Sequence, residues 1–194
     1  MFPNGAYMNC LSLKHLQSCV AYQREESAYR KLFLHYYHNL SHFAQGFVKT
    51  KEAAEEVVSD VMLKVWSMQE HLAQIDNLTV YLYRATRNQS LNYLRSNQKR
   101  QHIPDVTDEN FGYEMQTPET FLLENEWKEM FRQAILNLPP RCQMVYKLIR
   151  EDGFSYRETA RIMEISENTV DRHLNNALHK LTNCLKSYVV QNEY

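Results

Sequence analysis

The sequence predicts an all-α protein: two helical domains joined by a flexible acidic linker, the C-terminal one a helix-turn-helix. Three observations predict it. Glycine is scarce, four in 194 residues, and long β-branched runs are absent, so little favours a sheet. Apolar residues recur at helical spacing through several long stretches. Near the C-terminus a capped short helix, a tight turn and a longer capped helix follow one another.

The first stretch, Met1 to Ser18, has no strong pattern, and Met1-Phe2-Pro3-Asn4-Gly5 reads as a turn or frayed end. From Val20 to Phe47 the spacing predicts a helix with Tyr22, Tyr29, Leu32, Phe33, Tyr36, Leu40 and Phe43 as candidate core positions. His35, His38 and His42 share this helix at i, i+3 and i+7. No carboxylate joins their face at comparable spacing, so a half-exposed histidine face is expected and no metal or cofactor.

Lys51 to Trp66 is the second helix, with Ala54, Val57, Val58, Val61 and Val65 as its buried stripe. Asp76-Asn77 marks a loop and the next helix start. Thr79 to Arg100 is the third. In it Arg84, Asn88, Asn92, Arg95 and Lys99 are spaced 4, 4, 3 and 4, which aligns them, with Arg87 adjoining. Tyr81 and Tyr83 lie near its start. Cations follow phosphates and rings stack on unpaired bases, so this stripe suits melted nucleic acid.

Gln101 to about Thr120 reads as a linker, with Pro104, Pro118 and Gly112 among acidic and polar residues. It cannot build a core of its own. A further helix begins near Pro118 and carries Trp127, Phe131, Ile135 and Leu138. Pro139-Pro140 stops it and starts another, since proline fits a first helical turn and disfavours helix before it. Val145, Leu148 and Ile149 fall on one face of that helix. Glu151-Asp152-Gly153 ends it. Ser155 and Glu158 form a capping box, Ala160 and Met163 point inward, and Glu164-Ile165-Ser166 turns the chain. Ser166 caps the last helix, whose apolar stripe is Val170, Leu174, Ala177, Leu178, Leu181 and Leu185. The other face holds Asn168, Thr169, Arg172, His173, Asn176 and Lys180, which suit base edges and phosphates.

Net charge is −1, but it conceals a segregation. Arg84, Arg87, Arg95, Lys99 and Arg100 occur with no acid between them. Asp105, Asp108, Glu109, Glu114, Glu119, Glu124, Glu126 and Glu129 then face Lys128 alone. Cys10, Cys19, Cys142 and Cys184 make no C-x-x-C pair, as expected of thiols in a reducing compartment. No apolar run reaches membrane-spanning length and the N-terminus lacks signal-peptide order, which predicts a cytoplasmic protein with no membrane insertion. A nucleophile-base pair and a Gly-rich phosphate loop are missing, so an enzyme is not expected.

The two halves together resemble a bacterial RNA polymerase sigma factor of the extracytoplasmic-function group. EAAEEVVSDVMLKVW is similar to that family's polymerase-binding helix. VYLYRATRNQSLNYLRSNQKR is similar to its minus-10 helix, and LPPRCQMVYKLIREDGFSYRETARIMEISENTV to its minus-35 domain. The resemblance implies four parts: an N-terminal extension (1–18), region 2 (19–100), a linker (101–120) and region 4 (121–190). It implies core polymerase contacts by Glu55, Glu56, Asp60, Val61, Lys64 and Trp66. It implies minus-10 recognition and melting by Tyr81, Arg84, Arg87, Asn88, Asn92, Arg95 and Lys99. The minus-35 duplex falls to Asn168, Thr169, Arg172, His173 and Asn176, with Arg157 and Lys180 on phosphates. Implied partners are the core enzyme, double-stranded and melted promoter DNA, and the anti-sigma factor that holds many relatives.

Three positions depart from the family pattern. Its usual Trp-Leu entering the minus-10 helix is Tyr81-Leu82, its common Asp is Asn92, and its usual turn Gly is Glu164. The alternative reading is a helix-turn-helix regulator that binds DNA without replacing sigma. It would bind its site tightly alone, as a dimer.

Overall fold

The computed structural model describes residues 10–101 and 126–192, with side chains over 12–97 and 129–186. Among the described residues every regular element is a helix: α1 (Cys10–Ser18), α2 (Glu26–Val48), α3 (Lys51–Ser67), α4 (Leu78–Gln101), α5 (Glu126–Leu136), α6 (Pro140–Tyr146), α7 (Tyr156–Met163) and α8 (Glu167–Asn192). The chain divides into two compact units, Met1–Ser96 and Asn97–Tyr194. The linker expected over 101–120 and the turn at Met1–Gly5 lie outside the described residues, apart from Gln101, which ends α4.

In the N-terminal unit α2 and α3 form an antiparallel hairpin joined by two residues, Lys49 and Thr50. Lys49 takes a positive φ of 66° to end α2. Thr50 Oγ1 accepts a hydrogen bond from the Ala53 N–H at 3.3 Å, capping α3. The valine stripe behaves as its spacing demands: Val57, Val58, Val61 and Val65 are all at most 1% exposed. They pack with Leu32, Leu40 and Phe43, which are equally buried. Burying one such side chain contributes roughly 1.5–3 kcal/mol. α4 starts where Asn77 Oδ1 accepts from the Val80 N–H at 3.0 Å. Leu82, Tyr83, Thr86, Ser90 and Leu91 face inward.

Two expectations change here. The helix read from Val20 begins at Glu26, and a separate helix, α1, precedes it. Between them Cys19–Gln23 form a π-helical turn that ends on Arg24 in the left-handed region, with φ 53°. That break rotates Tyr22 out of register with the core, and it is 64% exposed. Tyr83 is 3% exposed and packs on Phe43 with ring centroids 5.0 Å apart, so it is a core residue and offers no ring to a base.

The C-terminal unit seats α5, α6 and α7 on α8. One cluster joins Leu138, Cys142, Ala177 and Leu181, with Phe131 and Ile135 against it. A second joins Val145, Ala160, Val170 and Leu174. Leu185, placed in the same stripe by its spacing, is 37% exposed. It lies one helical turn beyond the last buried position, Leu181.

After α6 the chain continues in a π-helical turn over Lys147–Glu151, and Gly153 follows it at φ 77°. Ser155 then caps α7 in a complete capping box with Glu158. The turn into α8 closes on Glu164 at φ 55°, ψ 44°, and the Ile165 N–H bonds back to the Ala160 carbonyl at 3.1 Å. A left-handed residue with a Cβ costs roughly 1–2 kcal/mol. Glu164→Gly will therefore stabilise the C-terminal unit by about 0.5–1 kcal/mol, once the extra chain entropy of glycine is subtracted. A rise in its thermal midpoint checks this; an unchanged or lower midpoint would show that Glu164 makes up the strain elsewhere.

Candidate nucleic-acid interface

α7, its turn and α8 place one helix end in the open. Ser166 Oγ accepts from the Thr169 N–H at 3.1 Å and shares a second hydrogen bond with Thr169 Oγ1 at 2.8 Å. Thr169 is thus half-buried in the cap it helps to build. Asn168, Arg172, Asn176 and Lys180 are exposed, and Arg157 is exposed near the start of α7. Val170, Leu174 and Ala177, at most 1% exposed, anchor the opposite face. A helix held from behind, with guanidinium and carboxamide groups ahead, has the shape and donors that enter a major groove.

His173 is placed differently from its neighbours. Its Nδ1 lies 3.5 Å from the Cys142 Sγ, so one ring nitrogen is turned inward onto α6. Burial lowers its pKa from the ordinary 6.5, and Arg172 and Arg141 lower it further. Burial pushes the Cys142 thiol up, against the opposing pull of Lys180 and Arg172. A neutral imidazole and a protonated thiol are the states that fit. Because the folded form resists protonation more than the unfolded form, stability is whole above pH 6.5 and falls as pH drops below it. Titrating the thermal midpoint from pH 7.5 to 5.5 will show a fall that His173→Gln shrinks. An identical fall in the variant would move the effect to other groups.

On α4 the predicted stripe sorts into layers. Arg84, Asn92 and Arg95 are exposed, and Asn88 is half-buried. Arg95 Nη1 donates to Asn92 Oδ1 at 3.4 Å. Arg87 is 8% exposed and its Nη1 donates to Asn88 Oδ1 at 3.0 Å, which holds that carboxamide in place. Arg87 therefore supports the stripe from beneath. Tyr81 is half-buried, its hydroxyl directed at the Met68 sulfur at 3.5 Å. The Lys99 side chain lies outside the described residues.

α3 sorts likewise. Glu56 and Lys64 are exposed, while Glu55, Asp60 and Trp66 are half-buried. Val61 is 1% exposed and lies inside the bundle, which corrects its assignment as a surface contact. It belongs to the valine stripe, and packing against α2 consumes its whole side chain. Trp66 sits between Tyr29, at 4.9 Å between ring centroids, and the Arg24 guanidinium, at 4.4 Å.

Two further features escaped the sequence reading. Gln89 Nε2 donates to Asp60 Oδ2 at 2.8 Å and its Oε1 accepts from Lys64 Nζ at 2.8 Å, lacing α4 to α3. Nothing in the linear pattern pairs those residues. Leu63 is 60% exposed and Leu34 66% exposed. Leu63 was legible: it follows Val61 by two residues, which at helical pitch turns it away from the buried stripe. Exposed leucines standing singly in this way are ordinary on a protein surface.

These two units define a two-part, all-helical DNA-binding protein. Residues 32–100 match the model of Sigma-70 region 2, and residues 128–181 match that of Sigma-70, region 4. The chain belongs to the sigma-70 family, in its extracytoplasmic-function group, and directs promoter-specific transcription with core RNA polymerase.

It is similar to the ECF RNA polymerase sigma-E factor of Escherichia coli K12, 26% identical over 167 residues, 82% of this chain and 87% of that protein. It is also similar to the RNA polymerase sigma-H factor of Pseudomonas aeruginosa, 24% identical over 75% of this chain and 80% of that one. Among solved structures, CnrH in complex with the cytosolic domain of CnrY matches with a TM-score of 0.57 at 17% identity, over 90% of this chain and 97% of that one. The sigma factor RpoE in complex with the anti-sigma factor NepR, from Bartonella quintana, matches at 0.60 and 23% identity, over 81% and 96%. These two likenesses carry the fold.

Proposed function

We propose the following division of labour among the residues. The outer face of α3, with Glu55, Glu56, Asp60 and Lys64 beside Trp66, docks on the core enzyme. The α4 stripe engages the minus-10 element through Arg84, Asn88, Asn92 and Arg95, with Lys99 extending the stripe in sequence and Tyr81 at its start. Arg172, Asn168 and Asn176 read the minus-35 duplex, and Arg157 and Lys180 hold phosphates. Thr169 and His173 shape the reading helix from within. The observation that carries this is the pairing of two polar faces, on α4 and α8, each backed by a buried apolar face in its own unit.

The chemistry of melting fits that layout. Unstacking and extruding a base costs a few kcal/mol. Cations on the phosphates and carboxamides on the freed base edge offset it. Bond formation in RNA stays with the polymerase, so no enzymatic step is assigned to this chain. The acidic stretch between the units is assigned a nucleic-acid-mimicking role in the polymerase, and neutralising its acids should impair initiation.

No helix among the described residues is long and apolar enough to cross a membrane. A partner of the core enzyme works where the polymerase does, in the cytoplasm. The solved relatives with CnrY and NepR bound support an anti-sigma factor as a further partner.

Run-off transcription with purified core enzyme, with and without this protein, on fragments of the host genome tests the whole reading. Transcripts sharing two upstream elements one to two helical turns apart are expected. Tight DNA binding without core, and no transcripts with it, would favour the regulator.

A further inference from the structure

The matched region begins at residue 32, yet the structure builds the residues before it into the fold at one particular place. Gln17 of α1 is 4% exposed. Its Nε2 donates to the Leu72 carbonyl at 2.6 Å and to the Ile75 carbonyl at 2.8 Å. Both N–H groups of the carboxamide are thereby used. Their acceptors belong to the short 3-10 turn Gln69–Gln74 and the residue after it, the passage from α3 to α4. Leu72 itself is fully buried. On the other side of that passage, Arg24 Nη1 donates to the Trp66 carbonyl at 3.1 Å, with its guanidinium over the indole. The N-terminal segment thus grips the chain at Trp66 and again at Leu72 and Ile75.

The passage matters because of what it joins. α3 is the helix assigned to the polymerase and α4 the helix assigned to the minus-10 element, so this inference rests on that reading. Capture of an extruded base requires the α4 stripe to keep its place relative to a docked α3. The passage has no long helix of its own to hold that angle. Its carbonyls at Leu72 and Ile75 take their side-chain donors from Gln17.

We propose that α1 and the turn after it brace the α3–α4 junction, and that Gln17 is a positioning residue for promoter melting. Gln17→Met keeps the length of the side chain and removes both donors without burying a charge. Gln17→His keeps one, since imidazole Nε2 reaches about as far as the carboxamide nitrogen. Holoenzyme carrying each variant is assayed on a promoter found by run-off, once as duplex and once with the minus-10 segment pre-melted by mismatches. Affinity for core is measured alongside.

The expected result is a drop of about tenfold on duplex for Gln17→Met, the scale of one or two unmade buried hydrogen bonds. Transcription from the pre-melted template and core affinity should stay within about twofold, inside the smallest effect of one such bond. Gln17→His should fall between. If Gln17→Met does not fold, Arg24→Met, at an exposed position, should show the same duplex-selective loss. Equal losses on both templates, a fall in core affinity, or full activity on duplex would each overturn the proposal. A wild-type protein silent on both templates would instead overturn the sigma assignment beneath it.

Discussion

Val61→Asp will melt the N-terminal unit. The side chain is 1% exposed, in a stripe with Val57, Val58 and Val65. An unpaired buried carboxylate costs several kcal/mol after relaxation. That is comparable with the whole stability of a domain, about 5–15 kcal/mol. The cooperative thermal transition of this unit should be lost, and with it core binding. Glu56→Lys is the matched control. Glu56 is exposed, so the fold should survive while affinity for core falls severalfold and its salt dependence changes, as rim charges behave. A Val61→Asp protein that melts normally and loses only core affinity would return Val61 to the contact surface.

Arg172→Ala should cut use of a promoter carrying the matched minus-35 element. A base contact from arginine is worth roughly 1–3 kcal/mol of discrimination, or about 5- to 150-fold. The variant should also tolerate substitutions at one base pair that the parent rejects. Lys180→Ala provides the contrast. It lies two helical turns further from the open end of α8 and is the residue proposed to hold a phosphate. Its loss should weaken all sequences alike and lower the salt slope by roughly 0.9 for one phosphate contact. Arg172→Ala with an unchanged base preference would reassign Arg172 to a phosphate.

Both experiments bear on how a linear pattern relates to a surface. The valine stripe of α3, the capping box at Ser155 and Glu158, the glycine stop at Gly153 and the buried stripe of α8 were all legible. Each rests on residues within one or two turns of each other, where helical geometry alone dictates who meets whom. The strained turn at Glu164 was legible for the same reason. It stands where a left-handed residue is needed, and its φ of 55° follows.

Val61 entered the contact set through the family resemblance, although its own spacing places it inside. The rest of what escaped depends on chain segments far apart. Tyr83 belongs to a polar, basic stretch by sequence, but Phe43, on a different helix, decides how it is used. His173 sits on the polar face of α8 by period, and only Cys142, 31 residues earlier, turns its ring nitrogen inward. Gln17 comes from a stretch without pattern, and its carbonyl partners lie 55 and 58 residues on.

Residue types and periodicity therefore sufficed for the fold class, the existence of the helices from α2 onward, though not all their starts, and the chemical character of most faces. Which of those side chains remain free for DNA or polymerase was decided by tertiary packing. The reason is that hydrogen bonds between distant segments and the burial of one helix against another have no local signature. A polar side chain in a sequence is equally able to face water or to be spent inside.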